Sequence, residues 1–273
     1  MCILFIDSPY IGNIMDTKNT ILSQKDLELL EAIVLKYGKV VTLAQIQAVI
    51  GEFGSIGAVR KRVAQMSKAG WLIRLKKGLY LVVTDISSLG FINTPEIVIA
   101  RSFDANSYIS FESALQHYGM FDQLLTRIDS VSIKMTKTYK VLQTAYSFLK
   151  IKNELFFGYT EEVVNNQKIF IAEREKAVLD MLYFRSSGYV ITLVLEKLKE
   201  YKDQFDFNKL KEYSIKYSLS MIRKIGFLLD QIDVDTTDLL ILSESNKKSH
   251  SKLTKDSHLY NAKWRLYYDS NLT

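Results

Sequence analysis

One residue of the 273 is cysteine, two are proline and three are histidine. The single thiol, Cys2, excludes a disulfide framework and a cysteine-built zinc site. His117, His250 and His258 are too scattered to form a histidine cluster. No metal and no cofactor are expected. So little cysteine fits a reducing compartment, and a cytoplasmic location is the expectation. No apolar run approaches the ~20 residues that span a bilayer, so no membrane partner is expected. Residues 1–6 are apolar but lack a basic flank, which argues against a signal peptide. Met15 is an alternative initiator. With 48% hydrophobic and 24% charged residues, the chain is not the apolar-poor sequence of a disordered protein. Its length accommodates two domains of about 100–200 residues.

The distribution of charge says more than its total. Lys and Arg number 36 and Asp and Glu 30, a net of +6. Residues 58–78 contain Arg60, Lys61, Arg62, Lys68, Arg74, Lys76 and Lys77 and no acid, a local charge of +7 that leaves the rest of the chain at −1. A concentration of Lys and Arg in one segment is the electrostatic footprint of a nucleic-acid contact.

The surrounding pattern predicts a winged helix. Residues 26–37 place Leu27, Leu30, Ile33, Val34 and Tyr37 at helical spacing, and Gly38 stops the helix. Thr42 with Gln45 three residues on is a capping box. It opens a second helix with Leu43, Ile46, Val49 and Ile50 on one side. Gly51 and Gly54 bracket a turn. A third helix over 55–68 has Ile56, Val59, Val63 and Met66 as its apolar face. At 100° per residue, the opposite face carries Lys61, Ala64, Gln65 and Lys68, with Arg60 and Arg62 on its flanks. Lys and Arg reach phosphates and guanine edges, and Gln pairs with adenine. Residues 71–83 then read as a β-hairpin whose turn is Lys76-Lys77-Gly78. The predicted partner is double-stranded DNA, held by Arg60, Lys61, Arg62, Gln65, Lys68, Arg74, Lys76 and Lys77.

A Ser-, Gly- and Asn-containing stretch over 84–94, ended by Pro95, predicts a domain boundary. The expected organisation is a DNA-binding domain over 20–85, a larger mixed α+β domain over 95–242 and a Ser/Lys-rich tail over 243–273. In the second domain, helices are expected over 95–103 and 110–118. Strands of a mostly antiparallel sheet follow at 130–134, 146–151, 155–159 and 168–172. Further helices are expected over 173–185, 191–201 and 210–232. Residues 243–258 read as flexible, and 260–268 as a strand returning to the body.

Catalytic groups are scarce, and no enzyme activity is expected. No nucleophile elbow, phosphate-binding glycine loop or His-Glu-x-x-His occurs. His117 stands alone in a helical stretch. Asp233 and Asp235 have the spacing of a Mg²⁺-binding pair but lack an upstream glycine turn. Glu200 and Lys202 have a nuclease-like spacing inside a helical pattern. Phe156, Phe157 and Tyr159 can stack on bases, but a sheet core uses such residues too.

Four segments resemble the AbiEi-family antitoxins of type IV toxin–antitoxin and phage abortive-infection systems. They are Arg74-Leu75-Lys76-Lys77-Gly78-Leu79-Tyr80; Ser107-Tyr108-Ile109-Ser110-Phe111-Glu112-Ser113-Ala114-Leu115 with Tyr118-Gly119; Glu154-Leu155-Phe156-Phe157-Gly158-Tyr159; and Ile171-Ala172-Glu173-Arg174-Glu175-Lys176-Ala177-Val178-Leu179-Asp180. The resemblance covers roughly residues 25–185. It implies a winged helix that binds inverted repeats in its own promoter and represses the operon. It also implies a second domain that counteracts a nucleotidyltransferase-like toxin without a stable complex. The first ~20 residues and the tail depart from the family pattern. The alternative reading is a transcriptional regulator with a sensing or partner-binding second domain and no toxin.

Overall fold

The computed structural model describes residues 22–50, 55–89, 92, 94–165, 167–246 and 248–270. Met15 and the glycines of the 51–54 turn lie outside them. The protein is a mixed α+β chain that divides into two compact units between Pro95 and Glu96. No helix among the described residues is long and apolar enough to cross a membrane.

The first unit runs α1 (Gln24–Tyr37), β1 (Val40–Thr42), α2 (Leu43–Ile50), α3 (Ile56–Lys68), β2 (Leu72–Lys76) and β3 (Leu79–Val82). Ser23 caps α1 by accepting from the Asp26 amide. The Thr42–Gln45 box forms as its sequence dictates. The Gln45 side chain accepts from the Thr42 amide at 2.7 Å, and the Thr42 hydroxyl accepts from the Gln45 amide at 3.2 Å. The strands make an antiparallel sheet of order β1-β3-β2. Ile33, Ile46, Val59, Val63, Met66, Trp71 and Val82 form the core between helices and sheet. Two expected core positions are corrected. Leu27 and Ile56 are exposed, and Leu29 takes the place of Leu27. Ile56 is the first residue of α3, one turn short of the buried Val59.

The second unit begins with α4 (Glu96–Phe103), β4 (Ser107–Ile109), α5 (Phe111–His117), β5 (Arg127–Ser132), β6 (Lys137–Val141), β7 (Thr144–Lys150), β8 (Tyr159–Val164) and β9 (Gln167–Ala172). It continues with α6 (Arg174–Phe184), α7 (Gly188–Glu200), α8 (Phe207–Ile215), α9 (Leu219–Asp230) and α10 (Thr237–Ser243), then β10 (Ser251–Lys252), β11 (Leu259–Asn261) and β12 (Leu266–Tyr268). Six strands form one sheet of order β6-β7-β5-β4-β9-β8. The sheet is mixed rather than mostly antiparallel, because β5 pairs parallel with β7 and β4 parallel with β9. Phe103 of α4 stacks on Tyr139 at 4.4 Å, and Tyr146 and Phe148 close the same cluster. A stacked ring pair of this kind adds about 0.5–1.5 kcal/mol beyond area burial.

Three expectations change here. Residues 153–155 form a 3₁₀ turn, and the strand begins only at Tyr159. The single helix expected over 210–232 is two helices, because Ser218 caps a fresh start by accepting from the Met221 amide. The stretch 243–258, expected to be flexible, is packed. Leu253, Thr254 and Ser257 are buried, and β10 pairs with β12. Its anchors come from α9. Arg223 donates to the carbonyls of Asn246 and Ser249, each at 2.9 Å. Trp264 is fully buried, and its indole N–H donates to Asp230 at 2.6 Å. The ring lies on Gly226, where a Cβ would run into it.

Candidate nucleic-acid interface

The basic window of the first unit forms one surface around α3 and the β2–β3 hairpin. Ser55 starts α3 by accepting from the Ala58 amide. Val59, Val63 and Met66 bind it to the core, which turns Arg60, Lys61, Ala64, Gln65 and Lys68 outward. On the hairpin, Arg74 and Lys77 are exposed and Lys76 is half-buried. Gly78 closes the turn at φ 76, in the left-handed region that glycine enters without steric cost. The register shifts between Arg74 and Lys76, a bulge that re-aims side chains. The Leu43 amide at the start of α2 donates to the Gly78 carbonyl at 2.8 Å, which ties the hairpin tip to the helices.

Between α3 and the hairpin lies a groove of about 960 Å³, lined by Arg60, Ala64, Ser67, Arg74, Lys77 and Tyr80 among others. Its cations face no carboxylate in the lining. The Ser67 hydroxyl oxygen is buried in that wall without a hydrogen-bond partner. A cationic, acid-free surface beside a helix is suited to an anionic partner such as phosphate.

The eight residues expected to hold DNA are not equivalent. Arg60, Arg74 and Lys77 converge on the groove. Lys61, Gln65 and Lys68 lie on the outer face of α3. Arg62 faces the other way, toward α1, where its Nε donates to Asp26 Oδ1 at 2.6 Å. Burial pulls the Asp26 carboxyl upward, but bonds from Ser23 and Arg62 outweigh it and hold the group below its ordinary value. Sequence reasoning missed Ser67 and Tyr80, which the helical wheel and strand alternation place beside Arg60 and Arg74. It had no signal for Asp26, which is 36 residues from Arg62.

The second unit has a polar centre of another kind. Lys176 and Asp180, one turn apart on α6, form an ion pair of 2.5 Å with no exposed side-chain surface. Tyr108, Ser110 and Tyr217 donate to the same carboxylate at 3.0, 2.8 and 2.9 Å. The ammonium also lies 5.1–5.3 Å from the rings of Tyr108, Phe157 and Tyr217. Burial lowers Lys176, against the opposing pull of Asp180. It raises Tyr217 and Tyr108 far above their usual range. Closed on all sides, the knot offers a substrate no approach to its charges.

The other candidate groups are dispersed. His117 pairs with Glu162 at 2.9 Å. Asp235 accepts from the Thr237 amide and hydroxyl at the start of α10, and Asp233 sits in the preceding turn. Glu200 pairs with Lys197, while Lys202 donates to the Ile232 carbonyl. Phe156 and Tyr159 pack on Tyr108, each at 5.0 Å, and Phe157 packs on Tyr213 at 4.9 Å. No group of three or more His, Cys, Asp or Glu among the described residues could hold a metal ion.

Comparison with protein-family models and with curated proteins finds no match. Among solved structures, the crystal structure of the RV2827C protein from Mycobacterium tuberculosis is similar. The TM-score is 0.66 at 13% sequence identity, over 90% of this chain and 92% of that chain. At that identity the likeness is one of fold.

Proposed function

We propose that this chain is a cytoplasmic DNA-binding antitoxin of the type IV kind. In this reading the first unit is a winged helix that represses its own operon, and the second unit counteracts a nucleotidyltransferase-like toxin without forming a stable complex. The observation that carries the DNA-binding half is the cationic surface on which Arg60, Arg74 and Lys77 line one groove with no carboxylate in its lining, while Lys61 and Lys68 stand exposed on the outer face of α3. The element order α1-β1-α2-α3-β2-β3 supports it, with a basic hairpin directly after the third helix. In the mechanism that follows, α3 enters the major groove with Lys61 and Gln65 toward base edges. The hairpin, as the wing, places Arg74, Lys76 and Lys77 along the phosphate backbone. One such module makes few phosphate contacts, so repression uses two molecules on an inverted repeat.

The antitoxin half is supported by the family resemblance of residues 74–80, 107–119, 154–159 and 171–180. Two of those segments supply Tyr108, Ser110, Lys176 and Asp180 to the buried knot, so they bear on the stability of the second unit. The test is growth of cells that express the neighbouring nucleotidyltransferase-like gene together with this full-length chain, beside a promoter-reporter assay. The expected result is protection by the wild type and by Lys61/Lys76/Lys77→Ala alike, with repression lost only in the variant. Protection that requires those three lysines would overturn the division of labour. Absence of any protection would leave a DNA-binding regulator and overturn the antitoxin reading.

A further inference from the structure

Where α6 begins, the second unit has a pocket of about 460 Å³ walled by Tyr118, Glu162, Glu173, Arg174, Glu175 and Asp206 among others. Two of the family-like segments supply these walls, 107–119 through Tyr118 and 171–180 through residues 173–175. Neither the basic surface of the first unit nor the buried knot uses those side chains.

Some of the charges here are matched within the chain. Glu162 pairs with His117. Glu173 accepts from the Tyr213 hydroxyl at 2.6 Å and from Lys209 at 3.4 Å. Arg174 is different. Its guanidinium lies 4.3 Å from the centre of the Tyr118 ring, it has no ion pair or hydrogen bond among the described residues, and its Nε is buried without a partner. It is also the first residue of α6, whose N-cap Glu173 makes no side-chain bond to the helix. The open amides of that first turn favour an anion and disfavour a cation, so nothing in the helix explains an unpaired arginine there. A guanidinium held flat on a ring with its donors free is pre-organised for a carboxylate.

The next residue carries the opposite charge, also unmatched. Glu175 is 5% exposed, and one of its oxygens accepts from the Asp206 amide at 2.8 Å. Asp206 in turn caps α8 by accepting from the Lys209 amide at 3.0 Å. Neither carboxylate has an ion pair among the described residues. One pocket thus holds a free guanidinium and, beside it, two free carboxylates.

We propose that this pocket binds a free L-α-amino acid as its zwitterion, with the α-carboxylate on Arg174 and the α-ammonium at Glu175 and Asp206. A phosphate would satisfy Arg174 but face two carboxylates, and a simple amine would satisfy those but face Arg174. Thr160, Gln204 and Lys209 complete the wall, so the favoured ligand has a polar side chain. The inference goes beyond the antitoxin reading and does not depend on it.

Isothermal titration calorimetry of the full-length chain against the free proteinogenic L-amino acids is the test, followed by the N-acetyl and α-amide forms of the best binder. The expected result is binding of an amino acid with a polar side chain. Blocking either end should weaken it about tenfold or more, as should Arg174→Gln or Glu175→Gln, since each removes a charge-assisted hydrogen bond. Arg174 makes no hydrogen bond to lose, and Gln keeps the acceptor that Glu175 offers Asp206, so both variants should unfold like the wild type. Lys168→Gln, outside the pocket, should bind unchanged. If a variant fails to fold, the blocked ligands on the wild type still decide the matter. No binding of any amino acid to the wild type would overturn the proposal, and so would equal binding of the blocked forms or wild-type affinity in Arg174→Gln. Acetate or inorganic phosphate binding as tightly as the amino acid would leave only an anion site and overturn it too.

Discussion

Lys and Arg of the basic window and the buried Lys and Arg of the second unit play opposite parts. Around α3 and the β2–β3 hairpin, Arg60, Lys61, Lys68, Arg74 and Lys77 stand in solvent. In the second unit Lys176, Lys211, Arg223 and Lys224 are buried. Lys176 faces Asp180 and three rings, Lys211 pairs with Asp238 and Arg223 clamps backbone carbonyls. Lys224 donates to the Ser186 hydroxyl at 2.9 Å, and burial lowers it. An exposed cation is cheap to keep and available to an anionic partner. A buried one costs several kcal/mol of desolvation unless charges or dipoles offset it, so it fixes the fold. Residue type supplies the charge, and the sequence around it decides its use. Lys176 lies among Ala177, Val178 and Leu179, whereas Lys61 lies among Arg60, Arg62 and Gln65.

The largest effect that would break this comparison lies in the second unit. Asp180→Ala strands a buried ammonium and three hydroxyl donors, and it should cost about 3–5 kcal/mol in chemical unfolding. A paired Lys176→Met, Asp180→Leu variant should recover much of that loss. An unstable paired variant beside a stable single one would contradict the account. Trp264→Ala should destabilise by about 3 kcal/mol through the cavity left on Gly226. It should also expose residues 244–270 to protease, a region that is resistant in the wild type if Arg223 and Asp230 hold it.

Much of the first unit is legible in sequence because its signals are local. The Ser23 cap, the Thr42–Gln45 box, Gly38 and Gly78 each act within a few residues. The second unit is less so. The parallel pairing of β5 with β7, and of β4 with β9, joins strands that are not sequence neighbours. The break between α8 and α9 lies in a continuous apolar pattern and is marked only by the Ser218 cap. The tail reads as polar and mobile because Arg223 and Asp230, which hold it, lie 20 to 34 residues upstream. At the candidate site, the exposed face of α3 follows from its period. The turning of Arg62 toward Asp26 does not, since it depends on how α1 packs beside α3.

Smaller effects sharpen the comparison inside the first unit. Lys61→Ala and Gln65→Ala should each cost on the order of 1–3 kcal/mol on operator DNA and relax preference at one base position, read by competition with single-base variants. Equal losses on operator and random DNA would place both side chains on backbone only. The smallest effect concerns Asp26. Its native value lies below the ordinary 3.8, so the stability it adds is present above that pH and is lost as pH falls through the native value. The pair is partly exposed, so the contribution is under about 1 kcal/mol. Asp26→Asn should therefore unfold at a lower temperature than the wild type at pH 7, and the two should converge as pH falls below the native value of Asp26. A pH-independent difference would show that the Arg62 pair does not contribute through charge.

The salt dependence of promoter binding by the wild type and by Arg74/Lys76/Lys77→Ala tests the central claim most directly. The claim is that the exposed cations of the first unit exist to meet phosphate. The account gives a steep wild-type slope. In the variant the slope is shallower by up to about 2.7, near 0.9 for each of three contacts, and affinity falls equally on operator and random duplexes. Binding of the wild type that does not change with salt, or a variant with the wild-type slope, would contradict it.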